Sequence, residues 1–122
     1  MLRGAIPVLH VSDADRAEEF YTRMLGFRVE FTGLGGAPRG GPRYFGVVRD
    51  KAALHFSSHA GDGVVGGIVY IVVDDVDALR SELKTRGTPV VLEPTDQTWG
   101  MRELYVRDPD GNTIRFGART PD

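Results

Sequence analysis

Four polar side chains stand in strand-like runs that are otherwise apolar. They are His10, His55, Tyr70 and Arg115. Every second residue of a strand points to the same face, so His10 is expected on one surface with Ile6 and Val8, and Tyr70 on one surface with Ile68 and Val72. A mostly apolar surface with a few polar groups is typical of a site for a sizeable organic molecule.

Three of these four polar side chains also have a structural interpretation. For His10, at a strand end, we favour a solvated or capped histidine over a ligand contact. Tyr70 can bury its ring and hydrogen-bond a neighbour. Arg115 can form an ion pair with Glu103 or Glu30. Both interpretations stay open at this point.

Composition excludes several other chemistries. The chain has 122 residues, a formal net charge of -2 and no cysteine, which leaves no disulfide, thiolate metal site or cysteine nucleophile. No serine–histidine–aspartate set, phosphate loop or carboxylate dyad is recognisable. The charge provides no basic field for nucleic acid. No apolar run approaches the roughly 20 residues of a membrane span, and the start lacks a secretory apolar core, so we expect a cytoplasmic protein without a membrane partner.

The elements that position these side chains come from a sequence written twice. Ile6–Asp15 and Ile68–Asp77 are both apolar strands that run into an acidic helix start. Each is followed by a helical stripe that ends at a glycine, Gly26 or Gly87. The repeat predicts a β-α-β-β-β unit occurring twice, in an α+β fold with curved mixed sheets around a cleft and the helices outside. We expect a single domain over residues 1–122, with repeats at about 5–58 and 67–119.

The pattern also predicts where elements begin and end. Strands are expected over Ala5–Val11, Phe27–Phe31 and Pro89–Leu92. Asp13 is the expected cap of the first helix, and Asp74 or Asp75 that of the second. Thr32–Arg43 is rich in glycine and proline and is either a connection between strands or a mobile lid beside the cleft.

Five segments carry a resemblance to a known family. They are Val11–Arg16, Phe20–Tyr21, Leu25–Phe27, Trp99–Glu103 and Arg107–Asn112. Together they resemble the vicinal oxygen chelate superfamily, which includes glyoxalase I, extradiol dioxygenases, fosfomycin resistance enzymes and bleomycin resistance proteins. The resemblance covers nearly the whole chain. It implies the fold strongly and the function weakly, because the superfamily contains both enzymes and binders.

The resemblance implies four positions at which the metalloenzymes hold a divalent ion. In this sequence they are occupied by Ile6, His55, Ile68 and Arg115. Isoleucine has no donor atom, and a guanidinium is always cationic and repels a metal ion. One histidine falls short of the three protein ligands that a catalytic site usually needs. We therefore expect neither a metal nor another cofactor.

Two aromatic residues are further candidates for the site. Tyr44–Asp50 and Trp99–Gly100 are similar to the segments that give the bleomycin resistance proteins the two aromatics of their drug groove. Tyr44 and Trp99 are therefore expected to stack on a flat ligand, or alternatively to fill a dimer interface. The drug binders are strongly acidic, which suits cationic bleomycin. The near-neutral charge here argues against bleomycin and leaves room for a neutral or anionic ligand.

The sequence therefore predicts a metal-free antibiotic-binding protein of the bleomycin-resistance-like branch. Its expected partners are a small organic ligand and a second copy of the chain, with the ligand in a dimer groove lined by Tyr44, His55, Trp99, Arg115, Tyr70 and His10. The alternative is an enzyme. It would be a glyoxalase or dioxygenase, or a metal-free catalyst with His55 or Tyr70 as general base. A protein-interaction module is a third class.

Overall fold

The chain folds into two β-α-β-β-β repeats, as predicted. The structure is a computed structural model that describes residues 1–33 and 41–121. The first repeat contains β1 (Val8–His10), α1 (Ala14–Glu19) continued by a π-helical turn (Phe20–Met24), β2 (Arg28–Thr32), β3 (Tyr44–Arg49) and β4 (Ala52–Ser57). The second contains β5 (Ile68–Val72), α2 (Val76–Arg86), β6 (Leu92–Asp96), β7 (Met101–Arg107) and β8 (Thr113–Arg119). The α+β class is confirmed; most of the expected Thr32–Arg43 connection lies outside the described residues.

The helices begin and end where the sequence predicts. The Asp13 carboxylate accepts a hydrogen bond from the backbone N–H of Arg16, and Asp75 does the same for Ala78. Asp75, not Asp74, is thus the cap of α2. Gly87 ends α2 in the left-handed conformation with φ 75°, which glycine adopts without the steric cost that other residues incur.

Each repeat forms one four-stranded mixed sheet. The strand orders are β1-β4-β3-β2 and β5-β8-β7-β6. The first strand of each repeat runs parallel to the last, and the remaining pairs are antiparallel. His55 is paired with Val8, and Arg115 is paired with Tyr70. His55 and Arg115 therefore occupy equivalent places in the two sheets.

All three predicted strands differ in their bounds from the observed ones: β2 is shifted by one residue, and β6 ends at Asp96 and not at Leu92. Proline explains where β1 and β6 begin. β1 spans Val8–His10 and not Ala5–Val11, because Pro7 has no N–H and contributes only its carbonyl to the backbone of His55. β6 begins at Leu92 and not at Pro89. Pro89 likewise lacks an N–H, and the first bond to β7 comes from the backbone of Val91.

The hydrophobic core lies between the helices and one face of each sheet. Its largest members include Tyr21, Phe45, Phe56, Leu83 and Leu104, all fully buried. The two repeats are also fastened together by polar groups. The buried Asp108 accepts a hydrogen bond of 2.7 Å from the Tyr21 hydroxyl, and Arg49 pairs with Glu82.

The opposite face of each sheet is left uncovered in one chain. Several of its large apolar and aromatic residues, and those bordering it, are exposed: Ile6, Val8, Ile68, Tyr70, Val72 and Trp99. The alternation predicted from the sequence is thus observed in β1 and β5, where the intervening Leu9 and Val69 are buried. Among the described residues, no helix combines the length and apolar character needed to span a membrane.

Candidate functional site

The uncovered face of the first sheet, here called the first-repeat face, carries a compact aromatic group. The Tyr44 hydroxyl lies 2.7 Å from Nδ1 of His55 and shares a hydrogen bond with it. The Phe31 ring stacks on Tyr44 and meets His55 edge-on. Gly46 makes this possible, because a Cβ there would collide with the Phe31 ring and crowd His55. The arrangement fixes the orientation of a half-buried imidazole.

The uncovered face of the second sheet, the second-repeat face, is built around one carboxylate. Glu103 is only 1% exposed. Its Oε1 accepts a hydrogen bond of 2.6 Å from Tyr105, and its Oε2 accepts bonds of 2.8 Å from Tyr70 and 3.1 Å from Nε1 of Trp99. Tyr70 reaches Glu103 across Gly117, where any side chain would strike the tyrosine ring. Three neutral donors therefore enclose a single negative charge.

Burial and hydrogen bonds together determine the protonation states in this group. Burial raises the pKa of Tyr70 to about 12, and the hydrogen bond to the Glu103 carboxylate acts in the same direction. The hydrogen bond to Glu103, followed by burial, also raises the pKa of Tyr105. Burial alone would raise the pKa of Glu103, but the three donors and the charge of Arg115 together lower it. At neutral pH the carboxylate is therefore ionised and both phenols are neutral.

Arg115 lies in the middle of the same face, between Tyr70 and Tyr105 on the adjacent strands. Its guanidinium carbon lies 4.8 Å from the centre of the Tyr105 ring, within cation–π range. The ion pairs expected as structural alternatives, with Glu103 or Glu30, do not form. Nε of Arg115 is buried and has no hydrogen-bond partner among the described residues.

The remaining predicted residues lie as follows. Nδ1 of His10 is 3.1 Å from the backbone oxygen of Asp62 in the segment between the repeats, so His10 is a capped histidine. Trp99 precedes β7 in a turn and is 62% exposed. Within one chain the structure groups Tyr44 with His55, and it groups Tyr70 and Trp99 with Arg115 around Glu103. No hydrogen bond or ring contact of the described residues joins the two groups.

A cavity of about 820 Å³ also opens between the repeats. Its lining comes from the β3–β4 turn and the start of β4, from β5 and the residues that follow it, and from α2. Only a minority of the lining residues belong to the core, among them Leu25, Phe27, Leu54 and Phe116. Tyr70 is the only predicted site residue that lines it. The convergent polar and aromatic chemistry lies on the uncovered faces, so we place the candidate site there and not in this cavity.

The donor set does not fit a divalent metal ion at the positions that the resemblance implies. Ile6 and Ile68 offer only carbon atoms, and Arg115 carries a positive charge. Nδ1 of His55 is already engaged by the Tyr44 hydroxyl. Among the described parts of the chain, no three His, Asp or Glu side chains converge in a way that would hold a metal.

Three residues of the two groups are absent from the predicted site residues. They are Phe31, Glu103 and Tyr105. The signal for two of them was present, because the alternation along β7 places Glu103 and Tyr105 on the same face. A carboxylate in a strand is ordinarily solvated, and nothing local in the sequence indicates that three donors cover this one.

Comparison with known proteins identifies the family. The model of the glyoxalase/bleomycin resistance protein/dioxygenase superfamily matches residues 6–116. A search of the curated proteins found no match. Many solved structures share the fold.

One of them is a bleomycin resistance determinant encoded on the transposon Tn5, with 24% identity and a TM-score of 0.78 over 97% of this chain and 98% of that one. TnmS3, an antibiotic binding protein from Streptomyces sp. CB03234, is 26% identical with a TM-score of 0.72 over 98% and 99% of the two chains. Lactoylglutathione lyase from Agrobacterium tumefaciens is 21% identical with a TM-score of 0.70 over 94% and 92%. Relatives of this fold thus include binders as well as an enzyme. The chain belongs to the glyoxalase/bleomycin resistance protein/dioxygenase superfamily.

Proposed function

We propose that this protein is a metal-free small-molecule binder. It sequesters a flat aromatic antibiotic or natural product in a groove that a second copy of the chain completes. The observation that carries the proposal is the uncovered aromatic and apolar surface, on which Trp99 is 62%, Tyr70 42% and Val72 74% exposed. Contiguous exposed apolar surface of this kind marks interaction sites.

A homodimer explains why the two groups lie apart in one chain. A twofold axis can place the first-repeat face of one protomer opposite the second-repeat face of its partner, and it generates two identical grooves. Each groove then contains Tyr44 from one side and Trp99 from the other. Two rings on opposite walls suit a flat ligand, which gains stacking energy on both of its surfaces.

The polar groups of the second-repeat face support capture without turnover. Glu103 has its oxygens occupied by three donors, and its lowered pKa makes it a poor base. Tyr70 and Tyr105 hold their protons at neutral pH. The function of such a binder depends on affinity and slow release. The similarity to TnmS3, an antibiotic binding protein, and to the bleomycin resistance determinant of Tn5 supports this class of ligand.

The second candidate function is an enzyme of the same superfamily that acts on a small organic substrate. The observation in its favour is the 2.7 Å contact between Tyr44 and His55. A half-buried imidazole with a fixed orientation on an open face has the geometry of a general base. In this case turnover would depend on His55, and Trp99 would contribute to substrate binding.

A melting screen with flat aromatic compounds, including anthraquinones and anthracyclines, tests the proposal. A binder is stabilised by its ligand, and mass spectrometry recovers that compound unchanged at one molecule per groove. Light scattering should give the dimer mass. Zn²⁺, Ni²⁺, Mn²⁺ or Fe²⁺ should leave the melting temperature unchanged, and elemental analysis should find no stoichiometric metal. A chemically altered compound whose formation requires His55 would favour the enzyme.

A further inference from the structure

Arg115 presents a positive charge that no described residue neutralises by direct contact. The ion pairs of the described residues involve other arginines. Nε of Arg115 is buried without a partner, and its guanidinium lies over the Tyr105 ring. Because Nε is covered, the donors that Arg115 offers to a ligand are the terminal nitrogens of its guanidinium.

The neighbouring carboxylate does not accept a hydrogen bond from Arg115. Both oxygens of Glu103 are taken by Tyr70, Trp99 and Tyr105, at distances of 2.6 to 3.1 Å. Glu103 is 1% exposed, so a ligand on this face cannot reach its oxygens. Arg115 is only half-buried and lies in the central region of the sheet surface. The accessible charge on the second-repeat face is therefore positive, although Glu103 lies beside it.

The surroundings of Arg115 define what can approach it. Tyr70 and Tyr105 flank it on the adjacent strands, and Trp99 extends from the turn before β7. A guanidinium presents its donors in a planar fork that matches a carboxylate. The fork and the surrounding rings together recognise a ligand that is both flat and acidic.

We infer that the ligand of this protein carries a carboxylate on a flat aromatic skeleton, and that the carboxylate binds Arg115 while the ring stacks on the aromatic residues of the groove. The inference rests on the proposed binding function and names the ligand class of that site.

A matched pair of probes tests this inference. Anthraquinone-2-carboxylate and anthraquinone-2-carboxamide have the same rings and differ in charge. Isothermal titration calorimetry on the full chain should give a dissociation constant about tenfold lower for the carboxylate, the effect of one charge-assisted fork. In Arg115→Gln the two probes should have about the same dissociation constant, and the affinity for the amide should change little. Lys84→Gln removes an equal charge from the exposed helix surface and should keep the preference.

The outcomes distinguish the inference from the function on which it rests. Equal wild-type affinity for the two probes overturns the inference and leaves a neutral-ligand binder. A carboxylate preference that persists in Arg115→Gln also overturns it. If neither probe binds, the inference fails, and the antibiotic screen still tests the binding function. If Arg115→Gln does not fold, Arg115→Met, whose apolar chain can pack on Tyr105, replaces it with the same expected loss of preference.

Discussion

The two uncovered faces have the same strand register and different chemistry. His55 and Arg115 occupy equivalent positions, each on the last strand of its repeat opposite the first strand. In the first repeat the imidazole is held by a phenol, Tyr44. In the second the guanidinium lies on a ring, Tyr105, and the neighbouring Glu103 is satisfied by other donors. The two repeats thus share one arrangement of strands and carry different polar groups on their uncovered faces.

The sharpest contrast lies between Tyr44 and Glu103. Both are on the strand that neighbours the last strand, where Tyr44 faces Ser57 and Glu103 faces Gly117. Tyr44 makes one side-chain hydrogen bond, which it shares with the imidazole of His55. Glu103 is a buried charge with three. A buried charge is stable only while its hydrogen-bond donors are in place, so substitutions on the second-repeat face should destabilise the protein more than those on the first-repeat face.

The largest expected effect is therefore at Glu103. Glu103→Ala removes the acceptor of three charge-assisted hydrogen bonds and should lower the free energy of unfolding by about 2–4 kcal/mol, given that the exposed donors can turn to water. Tyr44→Phe removes one hydrogen bond and should cost about 1 kcal/mol. Urea unfolding of both variants measures the difference. Equal costs would contradict the contrast between the faces.

The sequence predicts this frame better than it predicts the contacts on it. Alternation and the repeat correctly predicted which residues of β1 and β5 lie on the uncovered side. Local backbone geometry alone determines how side chains alternate along a strand. The capping of α1 and α2 by aspartate was predictable for the same reason. The hydrogen bonds to Glu103 could not be predicted from the sequence. Tyr70 is 33 residues away from Glu103 in the chain and reaches it across Gly117. Such a contact depends on the order of the strands in the sheet and on the glycine at position 117, which has no side chain to block it.

A second prediction concerns the titration of the Tyr70 hydroxyl, which donates a hydrogen bond to Glu103. The folded pKa of Tyr70 is about 12 and exceeds the unfolded value of about 10. The contribution of Tyr70 to the stability of the fold is thus fully present below pH 10 and is lost as the pH rises through 12. NMR of ring-labelled tyrosine should show Tyr70 as a late-titrating phenol. Glu103→Gln should lower its pKa towards the ordinary value, because the amide keeps an acceptor and removes the charge. An unchanged pKa would mean that burial alone causes the shift.

The smallest expected effect on stability is at Trp99. The ring is 62% exposed and supplies one of the three donors to Glu103, so Trp99→Ala should lower the free energy of unfolding by less than about 1 kcal/mol. Trp99→Phe keeps a ring without the N–H and serves as the control.

If the ring stacks on the ligand, Trp99→Ala should weaken binding by about 1–3 kcal/mol, and Trp99→Phe should recover most of it. Trp99 is the only tryptophan, so quenching of its emission by a flat ligand reports this face directly. If Trp99→Ala unfolds the protein, the ring is a structural part of the second-repeat face. If binding is unaffected, the ligand does not use the Trp99 side of the groove.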